Sequence, residues 1–181
     1  MKPTTYRKAP GAKDPARQYQ GAINKAAGRD FEQIIDASLA YYAQSGDAII
    51  LKTPEPMRPT KNLGGGKFIA YYEKQAQPDY KGALKGGRAV VFEAKYTTAD
   101  RIEQSRVTPE QATLLEKYAA IGAECFVLIG FDMRGVFRVP WAVWRDMKDR
   151  WCRKYIVPDD LDEYRVKTGK LGQLLILEAR S

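Results

Sequence analysis

The chain has 181 residues, a formal net charge of +8 and a pI near 9.4, and it contains no histidine. This length suits a single domain with a sizeable core, and the positive charge favours polyanionic partners, although a merely soluble basic surface is the alternative. The lack of histidine excludes histidine general bases and histidine-ligated zinc.

The first 25 residues are basic and contain several prolines and glycines. They carry six Lys or Arg residues against a single acid, Asp14. Such a composition predicts a flexible arm that could become ordered on nucleic acid. We therefore expect an arm over residues 1–25 and one folded domain over residues 26–181.

The folded part is predicted to begin with a helix and a strand. Apolar residues recur at three- and four-residue steps over residues 26–44, and Gly46 ends the pattern. Glu32 lies on this helix and is expected to be solvated unless the helix packs beside a functional site. A strand follows over residues 48–53.

Residues 54–75 are predicted to leave the sheet and return to it. Three prolines open this excursion, and the triple glycine 64–66 marks its tip. Basic residues alternate there with Phe68, Tyr71 and Tyr72, a composition suited to stacking on nucleic-acid bases. The equally weighted alternative is a mobile loop whose aromatic side chains pack on the body of the protein.

The most informative stretch is residues 77–95, QPDYKGALKGGRAVVFEAK. It predicts a hairpin whose second strand is buried. Glu93 and Lys95 point to the same face of that strand, because side chains alternate, and Asp79 lies on the paired strand. Two carboxylates and one ammonium would then meet. A hard divalent cation prefers such carboxylate oxygens, and the ammonium could orient water or offset charge on a phosphate.

The alternative is that Glu93 and Lys95 lie on an ordinary solvated strand face, where this spacing is common. The apolar neighbours Val90, Val91 and Phe92 favour the functional interpretation. They indicate a buried strand, in which charged groups are rare unless they are paired or bind a ligand.

The remaining elements complete a strand–helix–strand crossover. Thr108 and Pro109 are typical of a helix start, and the apolar run 125–130 suits a strand buried on both sides. Gln111 falls in the first helical turn, which could approach the carboxylates. We further predict a strand over residues 135–140, a helix over 140–151 with a tryptophan stripe in the core, and a short strand or strand-like tail over 174–177.

Neither a signal peptide nor an apolar run of membrane-spanning length is visible in the sequence. Cys125 and Cys152 lack CxxC spacing, and Cys125 is expected to be a buried, reduced thiol. These features favour a cytoplasmic location and no membrane partner.

The order of these elements resembles the PD-(D/E)xK nuclease core, and more specifically the RecU-type Holliday junction resolvases of Gram-positive bacteria and their phages. The resemblance covers residues 28–178. Its motifs are GRDFE at 28–32, KTP at 52–54, DYKG at 79–82, FEAK at 92–95, a glutamine in the following helix and CFV at 125–127. The basic excursion lies where this family inserts its stalk.

The resemblance implies a restriction-endonuclease-like α/β fold, with a mixed central sheet flanked by helices and a protruding basic stalk. It implies Asp79 and Glu93 as magnesium ligands, Lys95 as transition-state stabiliser, and Gln111 as a further metal position. Where the family usually has a threonine, two residues before the aspartate, this chain has Gln77, whose carbonyl could substitute. Manganese is expected to replace magnesium. The expected DNA-binding residues are Arg29, Arg58, Lys61, Lys67, Lys74 and Lys81.

The implied activity is magnesium-dependent hydrolysis of phosphodiesters in four-way junctions during recombination and DNA repair. The implied partners are branched DNA, a second copy of the chain in a homodimer, and a recombinase. The protein would act in the cytoplasm of a bacterium, encoded by the bacterium or by a phage. Two alternatives stay open: a nuclease of the same superfamily that cuts ordinary duplex, and a non-catalytic DNA-binding regulator of recombination.

Overall fold

The computed structural model describes residues 15–54, 56–72 and 77–177, with the side chains of residues 15–26 and of Tyr72 excepted. The helices and strands, in chain order, are α1 (Pro15–Ser45), β1 (Ala48–Lys52), β2 (Met57–Gly64), β3 (Lys67–Tyr72), β4 (Tyr80–Leu84), β5 (Ala89–Thr97), β6 (Ile102–Glu103), α2 (Pro109–Ala120), β7 (Glu124–Phe131), β8 (Gly135–Pro140), α3 (Trp141–Arg145), α4 (Met147–Trp151) and β9 (Tyr155–Ile156). Within these described ranges, no helix combines the length and the hydropathy needed to cross a membrane.

The centre of the fold is a five-stranded sheet in the order β1-β4-β5-β7-β8. Strands β5 and β7 are parallel and are joined by α2, whereas the other neighbours are antiparallel. The predicted α/β class, mixed sheet and crossover are therefore confirmed. The run after Cys125 is buried from Phe126 to Phe131, as expected for an interior strand of a covered sheet.

Two apolar clusters cover the two faces of this sheet. On one face, α1 packs through Phe31, Ile35 and Leu39 against Phe92 and its neighbours. On the other face lie the residues of α2, α3 and α4, including Leu115, Trp141, Trp144 and Met147. The tryptophan stripe is thus core, as predicted. Because strand positions alternate, odd-numbered residues of β5 such as Val91 face α2, and even-numbered ones such as Phe92 face α1.

Gly82 allows β1 and β4 to approach closely. A Cβ atom at this position would lie 2.0 Å from the carbonyl oxygen of Ile49, a contact that no side chain can make. Glycine here lets the two strands keep their pairing from Ala48 opposite Leu84 to Lys52 opposite Tyr80. This register places the residue after β1 beside Asp79.

The excursion forms a two-stranded ribbon of its own, made of β2 and β3. All eight residues of β2 are exposed. Phe68 and Tyr71 of β3 are 58% and 49% exposed, so these two aromatic side chains do not pack on the body of the protein. We call this two-stranded element the basic ribbon, and its role as the family's stalk stays a prediction.

Two boundaries differ from the predictions. Helix α1 begins at Pro15 rather than at residue 26, so residues 15–25 of the predicted arm are helical, and proline is well tolerated at a helix start. Residues 1–14 lie outside the described part. The helix predicted over 140–151 is two short helices separated at Asp146, whose carboxylate is held by the Arg145 guanidinium, with Nε and Oδ1 2.7 Å apart.

Of the two alternatives for residues 174–177, the strand-like tail is observed: Leu174 forms an isolated antiparallel bridge with Thr168, and no regular strand follows. Leu174 and Ile176 are buried against α1, as apolar residues should be. The Leu175 amide donates to the backbone carbonyl of Lys167 at 2.9 Å, whereas two other amides of this segment donate to side chains of α1. The Leu174 amide donates to Ser38 Oγ at 2.9 Å, and the Leu177 amide donates to the Tyr42 hydroxyl at 3.2 Å.

Candidate active site

Asp79, Glu93 and Lys95 meet on the α2 side of the sheet. Tyr80 pairs with Phe92, so Asp79 and Glu93 face one another one step further along the two strands. Lys95 Nζ lies 2.8 Å from Glu93 Oε2 and 3.4 Å from Asp79 Oδ2. The Ala94 amide also donates to Asp79 Oδ2, at 2.9 Å. The convergence expected from the sequence is therefore present.

Glu93 is the most deeply buried member of the site. Its exposed fraction is 0%, and its Oε1 atom has no hydrogen-bond partner in the described structure. Burial and the nearby Asp79 charge raise the pKa of Glu93 to about 8, against the opposing effect of the Lys95 ammonium. One lysine does not compensate both carboxylates, so the site favours a further positive charge, either a proton or a cation.

Gln111 joins this site to the first turn of α2. Gln111 and Thr108 form a reciprocal capping box. The backbone amide of Gln111 donates to Thr108 Oγ1, and the side-chain Oε1 of Gln111 accepts from the backbone amide of Thr108 at 3.1 Å. Its Nε2 donates to Glu93 Oε2 at 2.6 Å. Gln111 thus reaches the site as predicted, but in this orientation its nitrogen, not its oxygen, faces the carboxylate. Its role as a metal ligand stays a prediction.

Gln77 is directed to a different partner. Its Oε1 accepts a hydrogen bond from Lys81 Nζ at 3.1 Å. The two residues therefore pair with each other at the entrance to β4. Metal ligation by Gln77 would require that its carbonyl leave Lys81.

Glu32 lies on α1, which covers the other face of the sheet. Its carboxylate pairs with Lys52 Nζ at 2.6 Å, and both side chains are close to half exposed. The hydrogen bond from Lys52 to Glu32 raises the pKa of Lys52, with smaller contributions from the charges of Asp36 and Asp79. Nearby, the Tyr80 hydroxyl donates to Asp36 Oδ1 at 2.9 Å. Glu32 thus anchors the end of β1 to α1.

The predicted DNA-binding residues are spread over three elements. Arg29 on α1 and Lys81 on β4 are exposed, as are Arg58, Lys61 and Lys67 on the basic ribbon. The described ribbon contains no acidic residue, so these three side chains give it a net charge of +3. Lys74 and the side chain of Tyr72 lie outside the described residues.

Sequence reasoning assigned no function to Thr53. The Thr53 amide donates to the carbonyl oxygen of Asp79 at 2.8 Å, which extends the β1–β4 pairing by one residue. Its hydroxyl oxygen is buried and has no hydrogen-bond partner in the described structure. In the sequence, only the position of Thr53 within the KTP motif could have pointed to it. Its place beside Asp79 follows from the strand register, which the sequence does not show.

The donor set fits a hard divalent cation. Within residues 15–54, 56–72 and 77–177, no group of three or more His, Cys, Asp or Glu side chains is arranged to hold a metal. Asp79 and Glu93 supply two carboxylates, and the unpartnered Glu93 Oε1 is a buried oxygen that lacks the cation or donor it needs. Magnesium is commonly held by one or two carboxylates, with water and neutral oxygens completing its shell.

A family model described as Recombination protein U (RecU) matches residues 26–175. The chain belongs to the RecU family. This match confirms the resemblance found in the sequence. It covers the sheet, the candidate active site and the basic ribbon, so all of these are parts of a RecU-family domain.

Curated RecU relatives show the same similarity. A Holliday junction resolvase RecU of Streptococcus pneumoniae (strain Hungary19A-6) is 33% identical over 111 residues, which cover 58% of this chain and 56% of the relative. The one of Streptococcus sanguinis (strain SK36) is 30% identical over 132 residues, which cover 68% of this chain and 66% of the relative. The chain thus spans little more than half the length of the pneumococcal relatives that it matches.

Among solved structures, the Holliday junction resolvase Hjc of Archaeoglobus fulgidus resembles this RecU-family chain at a TM-score of 0.40 and 14% sequence identity. The similarity covers 65% of this chain and 75% of that one.

Proposed function

We propose that this RecU-family protein is a magnesium-dependent endodeoxyribonuclease that nicks four-way DNA junctions during recombination and repair. One observation carries the proposal: a fully buried Glu93 with an unpartnered oxygen lies beside Asp79 and Lys95 in a chain of this family. Such a group is costly to bury unless it binds something.

Each residue has a distinct part in the proposed reaction. Asp79 and Glu93 hold the cation, and Gln111 keeps Glu93 in place through its 2.6 Å hydrogen bond. A bound divalent cation supplies Lewis acidity, which favours deprotonation of water and offsets charge on the phosphate. Lys95, which contacts both carboxylates, is close enough to orient the attacking water or to stabilise the charge that develops on the phosphate. Mn²⁺ substitutes for Mg²⁺ in this proposal.

The basic ribbon is the proposed DNA contact. Its three positive charges attract phosphates, and its exposed Phe68 and Tyr71 present faces on which unpaired bases can stack. Bases are unpaired or easily unpaired at a branch point but not within a regular duplex. This difference supports preference for a junction.

A second copy of the chain is the proposed protein partner. Strand β1 is the edge of the sheet, and it exposes 67% of Ile49 and 68% of Leu51. An exposed apolar edge strand pairs readily with another edge, and antiparallel pairing of two identical edges is symmetric by construction. With Ile50 at the centre, Ile49 would lie opposite the partner subunit's Leu51. Both candidate sites would then lie on the same face of one continuous sheet, as two symmetric nicks require.

The dimer is tested by light scattering after gel filtration. Leu51→Lys should shift the protein to monomer, while the exposed Leu171→Lys should leave the dimer intact. A Leu51→Lys protein that remains dimeric would place the interface elsewhere.

We further propose that the protein acts in the bacterial cytoplasm, encoded by the host or by a phage, and that a recombinase is an additional partner.

The activity is tested with a synthetic four-way junction and a linear duplex of the same sequence, each with Mg²⁺ or Mn²⁺. The wild type should nick the junction symmetrically and leave the duplex nearly intact. Asp79→Asn should abolish nicking but keep junction binding, whereas the exposed Asp100→Asn should behave as wild type. Equal cutting of both substrates would indicate a duplex nuclease. Binding without cutting by the wild type would indicate a non-catalytic regulator.

A further inference from the structure

Thr53, Asp79 and Glu93 form one row across three neighbouring strands. Lys52 pairs with Tyr80, and the Thr53 amide donates to the Asp79 carbonyl at 2.8 Å, so Thr53 lies opposite Asp79. Tyr80 in turn pairs with Phe92, which places Asp79 opposite Glu93. Residues that lie opposite each other on adjacent strands project to the same face, with Cβ atoms about 5 Å apart.

The two ends of this row each carry a buried oxygen without a partner. These atoms are the Thr53 hydroxyl oxygen and Glu93 Oε1, and neither has a hydrogen-bond donor or acceptor within the described structure. Buried polar atoms of native proteins are nearly always satisfied, and exceptions mark a bound ion, a bound water or a functional group. The two unpartnered oxygens belong to the residues on either side of Asp79, which points to one ligand that all three residues share.

We propose that Thr53 is an oxygen donor of the cation site formed by Asp79 and Glu93. The inference rests on the proposed function, since it concerns the cation of that reaction. A hydroxyl oxygen suits a hard divalent cation, and a threonine or serine hydroxyl holds magnesium in P-loop proteins. Thr53 would contact the ion itself or a water of its shell.

The side-chain amides of Gln111 and Gln77 show why the cation site needs a hydroxyl as its neutral oxygen donor. Gln111 uses its oxygen to cap α2 and its nitrogen to bind Glu93, and Gln77 uses its oxygen to accept from Lys81. Neither amide oxygen is free to face the carboxylates. Thr53 supplies a neutral oxygen from the end of β1, beside Asp79.

The proposal predicts that one substitution preserves or raises the stability of the metal-free protein and lowers its affinity for the cation. Thr53→Val keeps the side-chain shape but removes the unpartnered hydroxyl. Without metal, this variant should melt at the same temperature as the wild type or higher, because an unsatisfied buried group is lost. Its affinity for the cation should fall about tenfold, the scale of effect for groups that support metal sites.

The experiment is a calorimetric titration of the full chain with Mn²⁺, together with thermal melting in the presence and absence of Mg²⁺. Thr53→Ser should bind Mn²⁺ like the wild type, because it restores the hydroxyl. Thr60→Val is the matched control, since Thr60 lies on the basic ribbon and its hydroxyl donates to Ile69 O at 3.0 Å. It should bind Mn²⁺ like the wild type.

If Thr53→Val does not fold, Thr53→Cys replaces it. Sulfur prefers soft metals, so the ratio of Cd²⁺ to Mn²⁺ affinity should rise about tenfold relative to the wild type. An unchanged ratio, or wild-type Mn²⁺ affinity in Thr53→Val, would overturn the role of Thr53 alone. Wild-type protein that binds no Mn²⁺ would overturn the metal dependence of the proposed function as well.

Discussion

Gln111 Nε2 donates to Glu93 Oε2 at 2.6 Å, which ties the first turn of α2 to the middle of β5. The same side chain caps α2 through the Thr108 amide. One residue therefore couples the position of a helix to the orientation of a buried carboxylate. This arrangement holds Glu93 Oε2 in place and leaves Oε1 without a hydrogen-bond partner in the described structure.

Replacing Gln111 should affect both the helix and the site. Gln111→Leu removes the reciprocal cap bond and leaves a buried carboxylate oxygen with one donor fewer. The free energy of unfolding should fall by about 2 kcal/mol, and junction cleavage should fall with it. Urea denaturation measures the change. Gln44→Leu, at an exposed position of α1, should change the free energy of unfolding by less than about 0.5 kcal/mol. Equal losses in the two variants would contradict the coupling.

The stability of the metal-free protein should fall as pH rises from about 5 to 8. The pKa of Glu93 rises from an ordinary value of 4.5 to about 8 on folding. Between these values the folded state holds a proton that the unfolded state has released. Since stability decreases with pH wherever the folded state binds more protons, this contribution is lost as pH rises through that window.

The pH effect is measured by melting the protein in buffers from about pH 5 to 8.5 without metal, then with excess Mg²⁺. Glu93→Gln should flatten the metal-free dependence. Added Mg²⁺ should stabilise the wild type more at high pH, because cation and proton compete for the same carboxylate. Identical pH dependences for wild type and Glu93→Gln would show that another group governs the effect.

The three basic residues of the ribbon should govern the salt dependence of DNA binding. Each phosphate contact contributes about 0.9 to the slope of log affinity against log salt concentration. A triple Arg58→Gln, Lys61→Gln and Lys67→Gln variant should lower the magnitude of that slope by about 3 for a four-way junction. Fluorescence anisotropy at several salt concentrations measures it.

The control for this experiment is a triple variant with the same loss of charge at exposed lysines elsewhere: Lys117, Lys148 and Lys170, each changed to Gln. Its slope should stay near that of the wild type. If both triple variants lower the slope equally, the ribbon acts only through overall charge.

The two cysteines should differ strongly in reactivity. Cys152 is exposed, whereas Cys125 is half-buried. Burial, together with the charges of Glu116 and Glu124, raises the pKa of Cys125 to about 11. The thiolate is the reactive form, so a disulfide reagent at about pH 8 should modify one thiol quickly and the other slowly. Cys152→Ser should remove the fast phase; a fast phase that persists would mean that Cys125 is accessible.

Most elements of the fold could be predicted from local sequence. The buried run after Cys125 and the cap at Thr108 predicted β7 and α2, because apolar runs and capping residues act within a few positions along the chain. The break at Asp146 and the side-chain partners of the tail at Leu174 could not be predicted. Both involve groups distant in sequence, since Gln104 Nε2 donates to the carbonyl oxygens of Trp144 and Arg145 at the break, and the Leu174 amide donates to Ser38 Oγ.

The sequence by itself determined which charged groups the site contains, because the alternation of β5 places Glu93 and Lys95 on one face whatever surrounds them. Only the tertiary structure decided which neutral groups join them. Strand register places Thr53 beside Asp79. Because the oxygen of Gln111 caps α2, its nitrogen donates to Glu93, and the oxygen of Gln77 accepts from Lys81 instead of facing the site. The physical reason is that a hydrogen-bonding side chain takes the partner that packing brings within about 3 Å, and sequence spacing does not encode that distance.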